Sequence, residues 1–216
     1  MVVLVHGLGV GQRYFEPLAR ELGGAVLRPE LRDPAPIDEL AAQLAAQLDG
    51  PAAIVANSMG CQVATALAVS RPELVSSLAL VGPTVDRNTH SAVRHVLRLG
   101  VDGWYEPFRL TATVIGDYAT YGTLALVRQA RHALDDRIEE RLPSVTAPTV
   151  VIRGAHDPLC PADWAAEVAG LVPDARLVTI AGAGHAVHFS HPREVVGALR
   201  GLPGMPDSRE TTAPRG

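Results

Sequence analysis

The sequence predicts an α/β fold with a mostly parallel sheet flanked by helices. Short apolar runs rich in β-branched residues alternate along the chain with longer segments of helical periodicity. The apolar runs are continuous rather than alternating, which is typical of strands buried on both faces of a parallel sheet. With 216 residues, the chain is long enough for one domain with a sizeable core.

The predicted elements follow each other in the order that crossover connections require. Strands are predicted over residues 2–5, 25–29, 52–56, 77–82, 149–154 and 175–180. Helices between or after these strands are predicted over residues 12–22, 37–48, 59–70, 161–172 and 192–202. The core domain is therefore expected to comprise residues 1–83 and 147–202.

Residues 84–146 interrupt this alternation, because they carry no strand pattern. Their spacing predicts helices over about 88–99, 103–118 and 121–141, and the segment holds five of the nine aromatic residues. We expect a helical cap over the carboxyl edge of the sheet, where open α/β folds bind ligands. Three of the aromatic side chains are expected to line a substrate pocket there: Trp104, Tyr105 and Phe108.

Composition excludes several functional classes. All 19 basic residues are arginines and they are scattered, which argues against a nucleic-acid partner and excludes lysine-based chemistry. No apolar run has the length of a membrane span, and the first residues lack the pattern of a signal peptide, so a cytoplasmic protein is expected. Two cysteines, Cys61 and Cys160, do not make a disulfide framework. The polar, proline-rich segment 203–216 is expected to be disordered.

The segment "VANSMGCQ" places Ser58 at the junction between a predicted strand and a predicted helix. A small residue, any residue, serine, any residue and glycine is the pattern of a nucleophile elbow, a sharp turn that exposes the serine hydroxyl. Small side chains are needed two positions before and after the serine, and Ala56 and Gly60 stand there. On this motif alone, Ser58 could equally be an ordinary helix N-cap.

Three further motifs favour the nucleophile. His6-Gly7-Leu8-Gly9 follows the first strand, so the Leu8 and Met59 N–H groups are expected to form an oxyanion hole. Asp157 and His185 each follow a later strand, in "VIRGAHDP" and "IAGAGHAVHF", and parallel strands bring both loops to the same sheet edge as Ser58. Serine, aspartate and histidine then occur in the chain order of an α/β-hydrolase catalytic triad.

These four motifs, in this order over residues 1–202, resemble the α/β-hydrolase fold superfamily of the small, capped type. The resemblance implies Ser58 as nucleophile, His185 as general base and Asp157 as its acidic partner, with no cofactor and no metal. It implies a serine hydrolase acting on a carboxylic ester or thioester of a small to medium apolar molecule; the oligomeric state stays open. Family members usually have two antiparallel strands before the first one here, so strand 25–29 is expected at a sheet edge, with the true start upstream or another segment covering that edge.

Several alternatives remain open at this level. Asp86 follows the preceding strand and could supply the acid instead of Asp157. His185, His188 and His191 could suggest a metal site, although their loop setting and the lack of acidic partners argue against one. Cys61 is expected to be a small buried residue that points away from the cleft.

Two alternatives concern the reaction. The "NSMG" elbow resembles that of hydrolases that cleave a C–C bond in ring-cleavage products, whose caps bind a substrate carboxylate. Four arginines could bind that carboxylate: Arg87, Arg94, Arg98 and Arg109. A non-hydrolytic binding protein that retains the triad is the alternative of a different class.

Overall fold

The computed structural model describes residues 1–31, 34–86 and 108–206. Within these ranges six strands form one sheet in the order β2-β1-β3-β4-β5-β6, and every neighbouring pair is parallel. The predicted α/β fold with a sheet flanked by helices is therefore confirmed. The strands are β1 Val2–Val5, β2 Val26–Leu27, β3 Ala52–Asn57, β4 Val75–Val81, β5 Thr149–Gly154 and β6 Ala175–Ile180.

The helices of the described ranges connect these strands. They are α1 Glu16–Leu22, α2 Ile37–Ala45, α3 Met59–Ser70, α4 Phe108–Tyr121, α5 Thr123–Asp135, α6 Ile138–Arg141, α7 Ala162–Leu171, α8 Val187–Ser190 and α9 Pro192–Leu199. Short 3-10 turns cover Gln12–Phe15, Pro72–Leu74 and Leu142–Ser144. None of the helices in this part of the chain combines the length and apolar character needed to cross a membrane.

The sheet separates two apolar layers. Val3 and Val5 of β1 belong to the layer formed with α2, α3 and α7, whereas Val2 and Leu4 belong to the layer formed with α1 and α9. This division follows from the alternation of side chains along a strand. Both faces of the sheet are covered at its central strands, which is why β1 and β3 are continuously apolar over most of their length.

The shortest strand lies at one edge of the sheet. β2 contains only Val26 and Leu27, which pair with Val2 and Val3 of β1. A strand over residues 25–29 was predicted at a sheet edge. Its edge position is confirmed, but the strand is shorter than predicted. The ladder between β1 and β2 is therefore only two residues long.

Helices α4 and α5 lie between β4 and β5 in sequence, and we call them the insertion helices. They are separated at Gly122, whose φ of +86° favours glycine. The predicted boundary near residue 120 is confirmed to within a few residues, and the predicted helix over 88–99 lies outside the described residues.

The described part of the C-terminal segment contacts the core, contrary to the expectation of disorder from residue 203. The Ser77 hydroxyl donates to the Pro203 carbonyl at 2.7 Å, and Met205 packs against the apolar layer of α1 and α9. The polar composition of the segment did not indicate these contacts, because they involve only one hydroxyl group of the core and one methionine.

Candidate active site

Ser58 stands in a strained turn between β3 and α3. Its φ of 56° and ψ of −125° make it the one non-glycine residue with positive φ among the described residues. Its N–H donates to the Val81 carbonyl at the end of β4 at 3.0 Å. Such a backbone costs about 1–3 kcal/mol and persists only where the surrounding structure enforces it. The geometry is that of a nucleophile elbow rather than of an ordinary N-cap, and no side-chain capping bond is made by Ser58.

Two glycines allow close approaches of the backbone around this turn. A Cβ on Gly60 would lie 2.4 Å from the Val5 carbonyl oxygen and 2.7 Å from that of His6. The small residue that the motif requires at position 60 therefore allows a close approach of α3 to the end of β1. A Cβ on Gly7 would lie 3.1 Å from the Ser58 Cβ, so the loop after β1 passes directly beside the serine.

His185 is held by Asp157. Its Nδ1 lies 2.9 Å from Asp157 Oδ2, and both side chains are buried. The other carboxylate oxygen, Oδ1, accepts the N–H groups of Leu159 at 2.8 Å and Cys160 at 3.0 Å. Burial alone would raise the pKa of Asp157, but His185 and these two donors hold it below its usual value. An ionised Asp157 therefore accepts the Nδ1–H of His185 and leaves Nε2 as the basic nitrogen.

Glycines at the ends of β4 and β5 leave room for this pair and for the loop that carries His185. A Cβ on Gly82 would lie 2.9 Å from His185 Nδ1 and 3.0 Å from Asp157 Oδ2. A Cβ on Gly154 would lie 2.1 Å from the Gly184 carbonyl oxygen. The loop that carries His185 thus packs directly against the carboxyl ends of both strands, which brings it toward the turn of Ser58.

Ser58 and His185 line the same cavity, which has a volume of about 540 Å³. The Ser58 Oγ lies 3.4 Å from Thr84 Oγ1, and Leu8 and Met59 also border this space. Met59 is the first residue of α3, where backbone N–H groups lack partners within the helix. The structure thus brings together all five residues predicted for the triad and the oxyanion hole, while their catalytic roles remain predictions.

The apolar wall of the cavity differs from the prediction. Phe108 is 85% exposed at the start of α4 and is not among the lining residues, and Trp104 and Tyr105 lie outside the described residues. The insertion helices instead contribute chiefly aliphatic side chains and one tyrosine. Prominent among them are Leu110, Val114, Tyr118, Leu126 and Val127. The spacing of Leu110, Val114 and Tyr118, at i, i+4 and i+8, was the sequence signal for this face.

The other histidines of "HAVHFSH" have separate environments. His188 is fully buried, with ring centroids 4.5 Å from Tyr14 and 4.3 Å from Phe15. His191 lies beside the Ser190 hydroxyl at 3.0 Å. No group of three or more potential metal-ligating side chains occurs within residues 1–31, 34–86 and 108–206.

Asn57 and Tyr14 support the site, and no sequence pattern had singled out either residue. The Tyr14 hydroxyl donates to Asn57 Oδ1 at 3.0 Å, and Asn57 Nδ2 donates to the Val81 carbonyl at 3.0 Å. A longer contact of 3.5 Å joins Asn57 Nδ2 to the His185 carbonyl. The fully buried Asn57 therefore connects the elbow to the loop of His185.

The remaining candidates are placed as follows. Asp157 is paired with His185, while Asp86 is buried in the loop after β4. Cys61 is buried behind the elbow, with its Sγ 3.3 Å from the Ala56 carbonyl oxygen, and burial raises the pKa of its thiol. It is not among the residues that line the cavity, as predicted.

Three of the curated relatives of this chain illustrate the range of known proteins that it resembles. Pimeloyl-[acyl-carrier protein] methyl ester esterase of Nitrosomonas europaea is 27% identical, over 77% of each chain. 2-hydroxy-6-oxo-6-(2'-aminophenyl)hexa-2,4-dienoic acid hydrolase of Metapseudomonas resinovorans is also 27% identical, over 71% of this chain and 60% of the relative. Polyketide synthase ThaQ of Burkholderia thailandensis is 30% identical over 88% of this chain, which spans only 11% of that synthase.

Among solved structures, a thermophilic esterase from Thermogutta terrifontis superposes with a TM-score of 0.70. It is 20% identical, and the match covers 92% of this chain and 87% of the esterase, so this likeness shows the fold alone. The family model described as "Alpha/beta hydrolase family" matches residues 2–198. With the parallel sheet and the elbow at Ser58, this match shows that the chain belongs to the alpha/beta hydrolase family.

Proposed function

We propose that this protein is a serine hydrolase that cleaves a carboxylic ester or thioester of a small to medium apolar molecule. The observation that carries the proposal is the pairing of His185 with Asp157 at 2.9 Å, beside a cavity that Ser58 also lines. A strained serine, a histidine held in one tautomer and a buried carboxylate are the parts that acyl transfer needs.

In the proposed mechanism His185 Nε2 takes the proton of the Ser58 hydroxyl as Oγ attacks the substrate carbonyl. Asp157 stabilises the imidazolium, and the N–H groups of Leu8 and Met59 stabilise the oxyanion. The C–O or C–S bond to the leaving group then breaks, and His185 returns the proton to that group. Water, activated by His185, adds to the acyl-enzyme and releases the acid and Ser58.

The cavity supports an uncharged, apolar acyl group. Its described lining consists largely of aliphatic side chains, and the ionisable groups among them are His185 and two tyrosines, Tyr14 and Tyr118. Burial raises the pKa of Tyr118, so its ring stays neutral at ordinary pH. A substrate carboxylate in this part of the cavity would lose its hydration without gaining a cationic partner.

The test is hydrolysis of p-nitrophenyl esters from acetate to dodecanoate by the wild type and by Ser58→Ala. We expect Ser58→Ala to lose turnover by at least about 10³-fold, since the nucleophile is removed. Ser70→Ala is the matched control, because Ser70 lies at the far end of α3 and donates to the Ala66 carbonyl at 2.7 Å. Equal rates for wild type and Ser58→Ala would refute the proposal.

A second candidate is hydrolysis of a C–C bond, which the likeness to the Metapseudomonas hydrolase favours. Of the four arginines that could bind a substrate carboxylate, Arg109 is exposed and absent from the described lining. Arg87, Arg94 and Arg98 lie outside the described residues. Labelling by a fluorophosphonate without turnover of any ester would favour this candidate, whereas no labelling would favour a binding protein.

A further inference from the structure

The loop that carries one predicted oxyanion donor is held from outside by the insertion helices. We call residues 7–11, which include Leu8, the β1 loop. The N–H of Gly11 donates to Asp117 Oδ2 of α4 at 2.8 Å, across 106 positions in sequence. Gly9 has a φ of +68°, and a Cβ there would lie 2.5 Å from Leu126 Cδ1 of α5 and 3.1 Å from the Tyr118 ring of α4. The insertion helices therefore contact this loop at two positions, Gly9 and Gly11.

The two predicted oxyanion donors are supported in different ways. The N–H of Met59 belongs to the first turn of α3, whose hydrogen bonds fix its direction. Leu8 lies in the β1 loop, outside any helix or strand. A loop amide keeps a catalytic direction only if its neighbours along the chain are fixed by contacts from elsewhere. Those contacts come from α4 and α5.

Asp117 is built to hold the loop and does not reach the reacting atoms. Its side chain is only 9% exposed, and a buried carboxylate is costly unless it accepts hydrogen bonds. The Arg13 guanidinium lies 3.8 Å away and is 83% exposed, so this ion pair contributes little. Asp117 borders a separate cavity of about 110 Å³ and is not among the lining residues of the larger one.

We propose that Asp117 is a positioning residue, through which the insertion helices set the direction of the Leu8 N–H in the oxyanion hole. The hydrogen bond fixes the peptide of Gly11, and the packing of α4 and α5 fixes Gly9. Because Leu8 lies between Gly9 and the end of β1 in the chain, these contacts also restrict the Leu8 peptide. The oxyanion hole is then complete only when α4 is seated on the β1 loop. This inference rests on the proposed hydrolase function.

The test compares Asp117→Ala, Asp117→Asn and the control Arg13→Ala, with p-nitrophenyl butyrate as substrate. We expect Asp117→Ala to lower kcat by about 10- to 100-fold, with KM changed by less than about threefold, because an oxyanion donor acts in the transition state. Asp117→Asn retains an oxygen that accepts the Gly11 N–H and is expected to keep most of kcat. Arg13→Ala is expected to match the wild type.

A second measurement does not depend on the reaction. Hydrogen exchange of the amides at residues 8–11 is expected to be at least about tenfold faster in Asp117→Ala than in wild type, and nearly unchanged in Asp117→Asn. If Asp117→Ala does not fold, Asp117→Ser replaces it, since a serine hydroxyl is too short to reach Gly11.

The outcomes separate this inference from the proposed function. Absence of Ser58-dependent ester turnover in wild type would refute the function, while the exchange rates would still decide whether Asp117 holds the loop. Three results would overturn the inference. They are hydrogen-exchange rates in Asp117→Ala equal to those of wild type, an effect of Asp117→Ala on KM alone, and equal losses of kcat in the Ala and Asn variants.

Discussion

Replacing the buried His188 by phenylalanine should make the protein less sensitive to acid. Among the described residues neither ring nitrogen has a hydrogen-bond partner of good geometry, and the ring packs against those of Tyr14 and Phe15. Burial is the main cause that lowers the pKa of His188 to about 3, from a usual value of 6.5. Repulsion by His185 adds to this effect, and the backbone of Tyr14 opposes it in part. The imidazole is therefore neutral in the folded protein throughout the ordinary pH range.

The magnitude follows from proton linkage. Between pH 6.5 and about 3 the unfolded chain binds a proton at His188 that the folded chain excludes, so the free energy of unfolding falls as pH falls. From pH 7 to pH 5, these two pKa values give a loss of about 2 kcal/mol from this one side chain. A phenylalanine at this position has no proton to bind, so His188→Phe should lose about 2 kcal/mol less than wild type.

The assay is urea unfolding at pH 7, 6 and 5, followed by tryptophan fluorescence. His156→Gln is the control, because it also removes one histidine side chain, but from an exposed position. Only the difference in pH dependence is interpreted, since the larger ring also changes the packing at every pH. If the stabilities of wild type and His188→Phe fell in parallel to within about 0.5 kcal/mol between pH 7 and 5, the reasoning would be wrong.

Three further substitutions test the geometry of the elbow and the pairing of His185 with Asp157, and one of the three is a control in α9. Gly60→Ala should lower the free energy of unfolding by at least about 2 kcal/mol, because its Cβ would lie 2.4 Å from the Val5 carbonyl oxygen. Gly197→Ala makes the same exchange in α9 with no atom within 4 Å of the new Cβ, and should stabilise the protein by about 0.5–1 kcal/mol in the same urea titration; equal effects of the two would contradict the close approach of α3 to β1. Asp157→Asn should lower kcat for p-nitrophenyl esters by about 10³–10⁴-fold, because the amide no longer holds the basic tautomer of His185. A loss below tenfold would argue that another group supports His185.

The strands were predictable because each contains a short apolar run rich in β-branched residues. β5 and β6 have the predicted bounds, since both contain several β-branched residues in succession and are flanked by residues typical of turns. The helix α8, Val187–Ser190, was missed because four residues are too few to show a period of 3.6. Its position is set instead by the packing of His188 against Tyr14 and Phe15, a contact between segments far apart in sequence.

The candidate site was predictable where chemistry restricts the residue type, and not where shape alone matters. A serine after β3, an aspartate after β5 and a histidine after β6 identified three positions, and the structure brings them together. The pocket wall was predicted from aromatic content, which does not say toward which side of a helix a residue points. Phe108 lies about 160° around α4 from Leu110, and this places it in solvent. Asn57 could not be found, because an amide that joins two loops leaves no pattern in sequence.

The two thiols give this protein a built-in reporter of local opening. Cys61 lies behind the elbow, and the backbone N–H of Cys160 donates to Asp157, so one cysteine adjoins the turn of the nucleophile and the other the turn of the acid. Both are buried, and burial raises the pKa of each, so in the closed protein neither forms the thiolate that a disulfide reagent or a maleimide needs. Modification at each position therefore measures how often its surroundings open. Faster labelling of Cys160 than of Cys61 would mean that the acid turn detaches while the nucleophile remains in place.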